Sequence, residues 1–180
     1  MRLIANIILF QIGWFACVLG AANHLAWAGS LTALAIAALH LQLAKRRSVE
    51  IQLLLLVVTL GFAWDSLIAS MGLMQFTSGV MLDGLAPYWM AALWVVFATT
   101  LNVSMRWLRE RWLIAALFGA IGGPLAYYAG AKLGALSFPD PVLGLTAQAV
   151  GWGLLMPLLV KIAARFDGIE SAPSQERAYV

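Results

Sequence analysis

The stretch from Leu60 to Gly72, LGFAWDSLIASMG, sets one carboxylate, Asp65, inside a run otherwise apolar enough to cross a bilayer. That apolar segment opens near Ile51. At about 1.5 Å per residue Asp65 stands about 21 Å along it, in a hydrocarbon core about 30 Å thick. Insertion scales put an Asp at a helix centre at about 2.5 to 3.5 kcal/mol, so an intramembrane Asp marks a functional site when it faces protein. Gly61, Ala69 and Gly72 stand at i−4, i+4 and i+7, which makes its helix face small and open to close approach. The expectation is a buried Asp65 turned toward other helices.

Working outward, 63% of the 180 residues are hydrophobic and 11% are charged, against about 25% charged in ordinary soluble domains. The chain therefore reads as an all-α integral membrane protein. Six apolar segments span about 3–22, 27–44, 51–71, 86–105, 112–135 and 143–164, each about as long as a spanning helix requires. The first reads as a spanning helix and not as a cleaved leader.

The basic residues Arg2, Lys45 to Arg47, Arg106, Arg109, Arg111, Lys161 and Arg165 fall at the N-terminus, the second and fourth loops, and the C-terminal end. Loops one, three and five carry only Asp83, Asp140 and, at a helix edge, Lys132. The positive-inside rule then places both termini in the cytoplasm. The net charge of +3 is explained by this topology, and no nucleic-acid partner is expected. Two domains follow: a six-helix transmembrane bundle over 1–165 and a short disordered cytoplasmic tail over 166–180.

Trp27, Tyr88, Trp89, Trp107 and Trp112 fall at expected membrane interfaces, where amphipathic rings sit best. Trp14, Trp64, Trp94 and Trp152 lie deeper and read as packing or cavity-lining residues. The half-apolar third loop, about 73–85, either lies flat on the membrane or folds over a cavity as a lid.

The fifth segment carries Gly119, Gly122, Gly123, Gly130 and Gly134, with Pro124 directly after Gly123. Glycines at this spacing allow close helix packing, and Gly-Gly-Pro can kink or unwind a helix beside Tyr127 and Tyr128. Lys132 is the natural counter-ion for Asp65, with snorkelling to the interface as the alternative. An outer polar tier follows: Trp64, Asp65, Ser66, Tyr127, Tyr128, Lys132 and Gln148 are the candidate ligand-binding residues. An inner tier comprises Asn6, His40, Thr99, Thr100 and Asn102, and His40 suits a proton relay with Asp65. With two histidines and one cysteine, Cys17, no metal centre, cofactor or disulfide framework is expected. No motif of a zinc hydrolase, phosphate loop or serine hydrolase occurs, and the reading leans away from an enzyme.

QIGWFACVLGAA at 11–22, Trp64-Asp65-Ser66, APYWMAALWVVFATTL at 86–101 and GAIGGPLAYYAGAKLGAL at 119–136 together resemble the bacterial inner-membrane proteins catalogued as domain-of-unknown-function family 2878. The resemblance covers about residues 3–165 and carries no site residues. It implies a multi-pass protein of the bacterial inner membrane and, because members are often encoded near lipid-modifying enzymes, a role in lipid metabolism. In architecture alone the chain is also similar to the substrate-binding subunits of energy-coupling-factor vitamin transporters, whose small residues on helix one meet a partner; Ala5, Gly13, Ala16 and Gly20 would form that face here.

The leading expectation is binding or transport of a small amphipathic molecule or lipid in a polar cavity between helices three, five and six, in the outer half of the bundle. A membrane-embedded lipid-modifying enzyme or its accessory subunit, and a structural or assembly subunit, are the alternatives. Partners would be membrane lipids, an amphipathic ligand, and a partner membrane protein or further copies of the chain.

Overall fold

The computed structural model describes residues 2–169. Six helices account for most of the described chain: α1 Arg2–Ala22, α2 Ala26–Leu43, α3 Arg47–Ser70, α4 Tyr88–Leu101, α5 Trp112–Lys132 and α6 Pro141–Arg165. A two-residue antiparallel pair, β1 Gln75–Phe76 with β2 Leu136–Ser137, joins the third and fifth loops. Most of the tail expected over 166–180 lies outside the described residues.

Five helices are long and apolar enough to cross a membrane, as in a multi-pass membrane protein; α4 is the exception. The fourth apolar segment, expected over 86–105, is helical for only fourteen residues and then breaks into turns and a 3₁₀ turn at Arg106–Leu108. Its helical part is about 21 Å long, short of the hydrocarbon thickness. Packing explains how it is tolerated. Ten of its fourteen residues are buried, against α1, α2, α3 and α6, so α4 is the axis of the bundle. The longer helices carry the lipid-facing apolar side chains, among them Ile4, Ile8, Leu55, Leu117, Leu125 and Leu154, all more than half exposed.

Close approach is set by glycine. A Cβ on Gly29 would lie 2.5 Å from the Ala16 carbonyl oxygen, which seats α2 directly on α1. On α5, Gly119 and Gly123 rest on Trp152 of α6, and α5 runs unbroken through Pro124. Gly119 and Gly123 therefore serve packing, and the broken-helix reading is corrected: neighbouring helices accommodate a proline inside a membrane helix. Gly134 lies beyond α5 with φ of 90°, a conformation that favours glycine at a helix end. Gly130 and Gly134 thus do not form one helical face.

The third loop is held across one end of the bundle, referred to below as the hairpin end because it carries the short α1–α2 turn. Ser78 Oγ donates to the Ala21 carbonyl at 2.7 Å, Thr77 Oγ1 to Gly134 at 2.6 Å, and the Trp89 indole to Ser78 at 3.0 Å. Trp89, expected at the interface, is 1% exposed. Its N–H is satisfied by the loop that covers it. Trp27, Trp107 and Trp112 are at least half exposed.

Candidate functional site

Asp65 lies on α3 five residues before its end, about 7 to 8 Å from the hairpin end of the helix. It is completely buried. Its Oδ2 accepts from the Trp94 indole of α4 at 2.7 Å, and its Oδ1 accepts from the Tyr127 hydroxyl of α5 at 2.5 Å. The position follows from helix geometry. Glu50, Leu54, Val57, Gly61 and Asp65 succeed one another at spacings of three or four, so they form one buried face of α3. Gly61, one turn below, has no side chain because the Trp94 ring occupies that space: a Cβ there would meet it at 2.0 Å. Both oxygens of a side chain that is costly at this depth thus have a hydrogen-bond donor.

Consecutive helical residues point about 100° apart, and this divides the remaining candidates. Trp64 turns to α6, where its indole donates to Gln148 Oε1 at 3.0 Å and its ring fills the space beside Gly151. Gln148 is fully buried, and its amide nitrogen stands 3.9 Å from Met74 Sδ. Ser66 turns to the third loop and accepts from the Ala86 amide at 3.0 Å. Tyr127 faces inward, whereas Tyr128 is 47% exposed.

Lys132 does not pair with Asp65. Its Nζ lies 5.3 Å from the centre of the Tyr128 ring, a cation–π arrangement. The physical reason is azimuth: five residues after Tyr127 is about 500°, which turns Lys132 about 140° away from the inward face. Depth along the helix alone does not decide a contact.

Trp94 and Tyr127 also form part of the wall of a cleft of about 70 Å³. Its lining includes Phe10 and Trp14 of α1, Trp94 and Phe97 of α4, Tyr127 and Gly130 of α5, and Trp152 of α6. Trp94 and Trp152 are stacked, with ring centres 4.8 Å apart and planes 12° from parallel. This cleft is lined by α1, α4, α5 and Trp152 of α6, and α3 contributes Asp65 from behind the wall, whereas the expected cavity was between helices three, five and six. Both donors to Asp65 end in the cleft lining. A molecule seated there touches the rings that hold the carboxylate.

A second polar cluster lies at the opposite, basic end. Glu50 is completely buried; its Oε1 is 2.8 Å from His40 Nε2, and its Oε2 accepts from Asn102 Nδ2 and the Gly168 amide, both at 2.9 Å. Asp167 pairs with Arg106 at 2.6 Å and Arg109 at 3.0 Å, while Arg46 reaches the Asp167 carbonyl. Phe166 to Ile169, read from sequence as the start of the tail, are held by this cluster: Asn102 also donates to the Phe166 carbonyl. The relay expected between His40 and Asp65 is corrected. His40 is bound to Glu50, and about 22 Å of α3 separates Glu50 from Asp65, with only Leu53, Leu54, Val57 and Gly61 buried between them. Glu50 escaped the sequence reading because it adjoins the basic cluster, just outside the apolar run. Its helical register with Asp65 is the signal that would have found it.

Among the described residues no group of three or more His, Cys, Asp or Glu could hold a metal ion. A family model described as "Protein of unknown function (DUF2878)" matches residues 3–158 of the chain. No curated protein and no solved structure matches it.

Proposed function

The chain belongs to the DUF2878 family, and from that premise and the geometry around Asp65 we propose that it binds a lipid or other small amphipathic molecule in the cleft between α1 and α5. The carrying observation is a fully buried carboxylate whose two hydrogen-bond donors, Trp94 and Tyr127, line an aromatic cleft. A buried charge needs such support merely to be tolerated. Here the supporting rings are also the ones a ligand would meet.

Size limits what the cleft holds. Sites for whole drug-sized ligands occupy about 300 to 1,000 Å³, and 70 Å³ accommodates only one part of a molecule. The remainder of the ligand then lies between α1 and α5, in contact with lipid. Stacked and edge-on rings favour a flat or unsaturated portion, because ring faces and edges pack such groups closely. Access is lateral, from the bilayer. In this reading the protein resides in the bacterial inner membrane with both termini in the cytoplasm, which puts the cleft in the outer half.

The test is native mass spectrometry with lipidomics on the purified wild type, Asp65→Asn and Gly130→Leu, the last chosen to fill the cleft. A species retained by the wild type and lost from Gly130→Leu supports the site and identifies its ligand class, and Asp65→Asn should retain it, because the Asn keeps Trp94 and Tyr127 in place. Retention of the same species by Gly130→Leu, or bulk phospholipid alone on all three, overturns it.

A further inference from the structure

We infer that the basic end of the α5–α6 pair binds the headgroup of an anionic phospholipid. Val150, Leu154, Leu158, Lys161 and Arg165 succeed one another along α6 at spacings of three or four, so they form one face of that helix, and all are exposed. The face is apolar in its first three members and cationic in its last two. On α5, Arg111 precedes an exposed apolar row of Leu113, Leu117 and Ile121.

The two rows reach their charges at the same depth. Gly119 of α5 rests on Trp152 and Met156 of α6, and Gly123 on Trp152, so the helices run antiparallel. Eight residues toward the start of α5 then match eight toward the end of α6, which sets Arg111 level with about residue 162, between Lys161 and Arg165. Between the rows the helices meet through small residues: a Cβ on the half-buried Gly153 would stand 3.4 Å from the Ala120 Cβ and 3.8 Å from the Ala116 carbonyl oxygen. The outward surface of the pair is therefore a shallow valley that ends at three cations.

Those cations have no counter-ion in the chain. Arg111, Lys161 and Arg165 make no ion pair among the described residues. Asp167 is engaged by Arg106 and Arg109, Glu50 is buried against His40 and Asn102, and the exposed Glu110 pairs with none of the three. Lys161 and Arg165 stand one turn apart, where like charges destabilise a helix and an anion between them relieves the repulsion. Where the charges stand selects the occupant. Lys161 and Arg165 are the last members of a row that faces acyl chains, so the group they meet first is a lipid headgroup, and the valley takes a chain of the same molecule. A nucleic acid or an acidic protein approaches from water and makes no use of the apolar rows. Net charge then discriminates among lipids: a phosphocholine carries its own ammonium, whereas the phosphodiester of phosphatidylglycerol is uncompensated.

The test uses the full chain in phosphatidylcholine nanodiscs that contain, at equal mole fraction, either phosphatidylglycerol or phosphatidylcholine with a diazirine early in one acyl chain, the labelled sites being mapped by peptide mass spectrometry. On the segments 113–121 and 150–165 the phosphatidylglycerol probe should label about tenfold more than the phosphatidylcholine probe, since each cation at an anionic surface is worth about a fivefold preference. Raising the ionic strength should reduce that ratio. Lys161→Gln combined with Arg165→Gln should lower it to about twofold, Lys161→Arg should keep it, and Lys132→Gln, at the other end of α5, should leave it unchanged. Gly130→Leu should also leave it unchanged, which separates this surface from the cleft. Equal labelling by the two probes in the wild type overturns the proposal. So does a preference spread evenly over α1 and α2, or displacement of the probe by millimolar glycerol phosphate, which would make a soluble phosphate ester the ligand. Because the wild-type comparison decides by itself, a variant that fails to fold does not protect the inference.

Discussion

At the scale of the residue, the Asp65 hydrogen bonds predict different outcomes for substitutions of similar shape. Tyr127→Phe removes the hydroxyl that donates to Oδ1 and should destabilise by about 1 to 3 kcal/mol, read as a lower unfolding midpoint in detergent. Asp65→Asn should be milder, within about 1 kcal/mol. Trp94 can only donate, so the Asn oxygen turns to it, and the amide turns to Tyr127, whose hydroxyl also accepts. An unfolded Asp65→Asn would refute this geometry. At the basic end, Glu50→Ala leaves the His40, Asn102 and Gly168 donors without their common acceptor and should cost about 3 to 5 kcal/mol. Glu50→Gln should cost about 1 kcal/mol, since His40 can present its other tautomer. Equal midpoints for the two Glu50 variants would show that the cluster contributes little. Asp65 was legible in the sequence because no other acid interrupts that run. Tyr127 was legible as a member of the same polar tier, but its bond and that of Trp94 were not, because the two donors stand 62 and 29 positions away.

At the scale of the element, the glycines are not equivalent. Gly61 and Gly151 face the rings of Trp94 and Trp64 at 2.0 and 1.9 Å from an added Cβ, and both indoles are tied by hydrogen bonds to Asp65 and Gln148. Neither ring can move without losing its bond. Alanine at either position should therefore destabilise by about 1 to 3 kcal/mol. Gly122 lies on the same α5 as Gly119 and Gly123, but a Cβ there meets nothing within 4 Å. Gly122→Ala should stabilise by up to about 1 kcal/mol through helix propensity. Parallel thermal unfolding of the three variants checks the contrast, and a uniform response would sink it. The sequence marked α5 as glycine-rich and left open whether the glycines break the helix or pack it. Only the placement of Trp152 opposite Gly119 and Gly123 resolves that.

At the scale of the whole molecule, the antiparallel helices bring Lys45 to Arg47, Arg106 to Arg111 and Arg165 to one end of the bundle, opposite Asp83 and Asp140. Under the positive-inside rule that end should be cytoplasmic. A C-terminal green fluorescent protein should fluoresce in cells, and alkaline phosphatase at the same point should be inactive; the reverse pattern would invert the proposed orientation of the cleft. The sequence by itself determined the all-helical class and the six apolar segments, because the hydrophobic effect and backbone hydrogen bonding in lipid act on composition and length. It also singled out Asp65, because an Asp at that depth is costly wherever it points unless the protein supplies partners. Tertiary structure decided the rest. It made α4 the buried axis, turned Lys132 away from Asp65 and Tyr127 toward it, and joined His40 to Glu50. It opened one cleft beside α5. Each of these depends on the direction a side chain takes around its helix and on which neighbour stands there, and neither is encoded in position along the membrane.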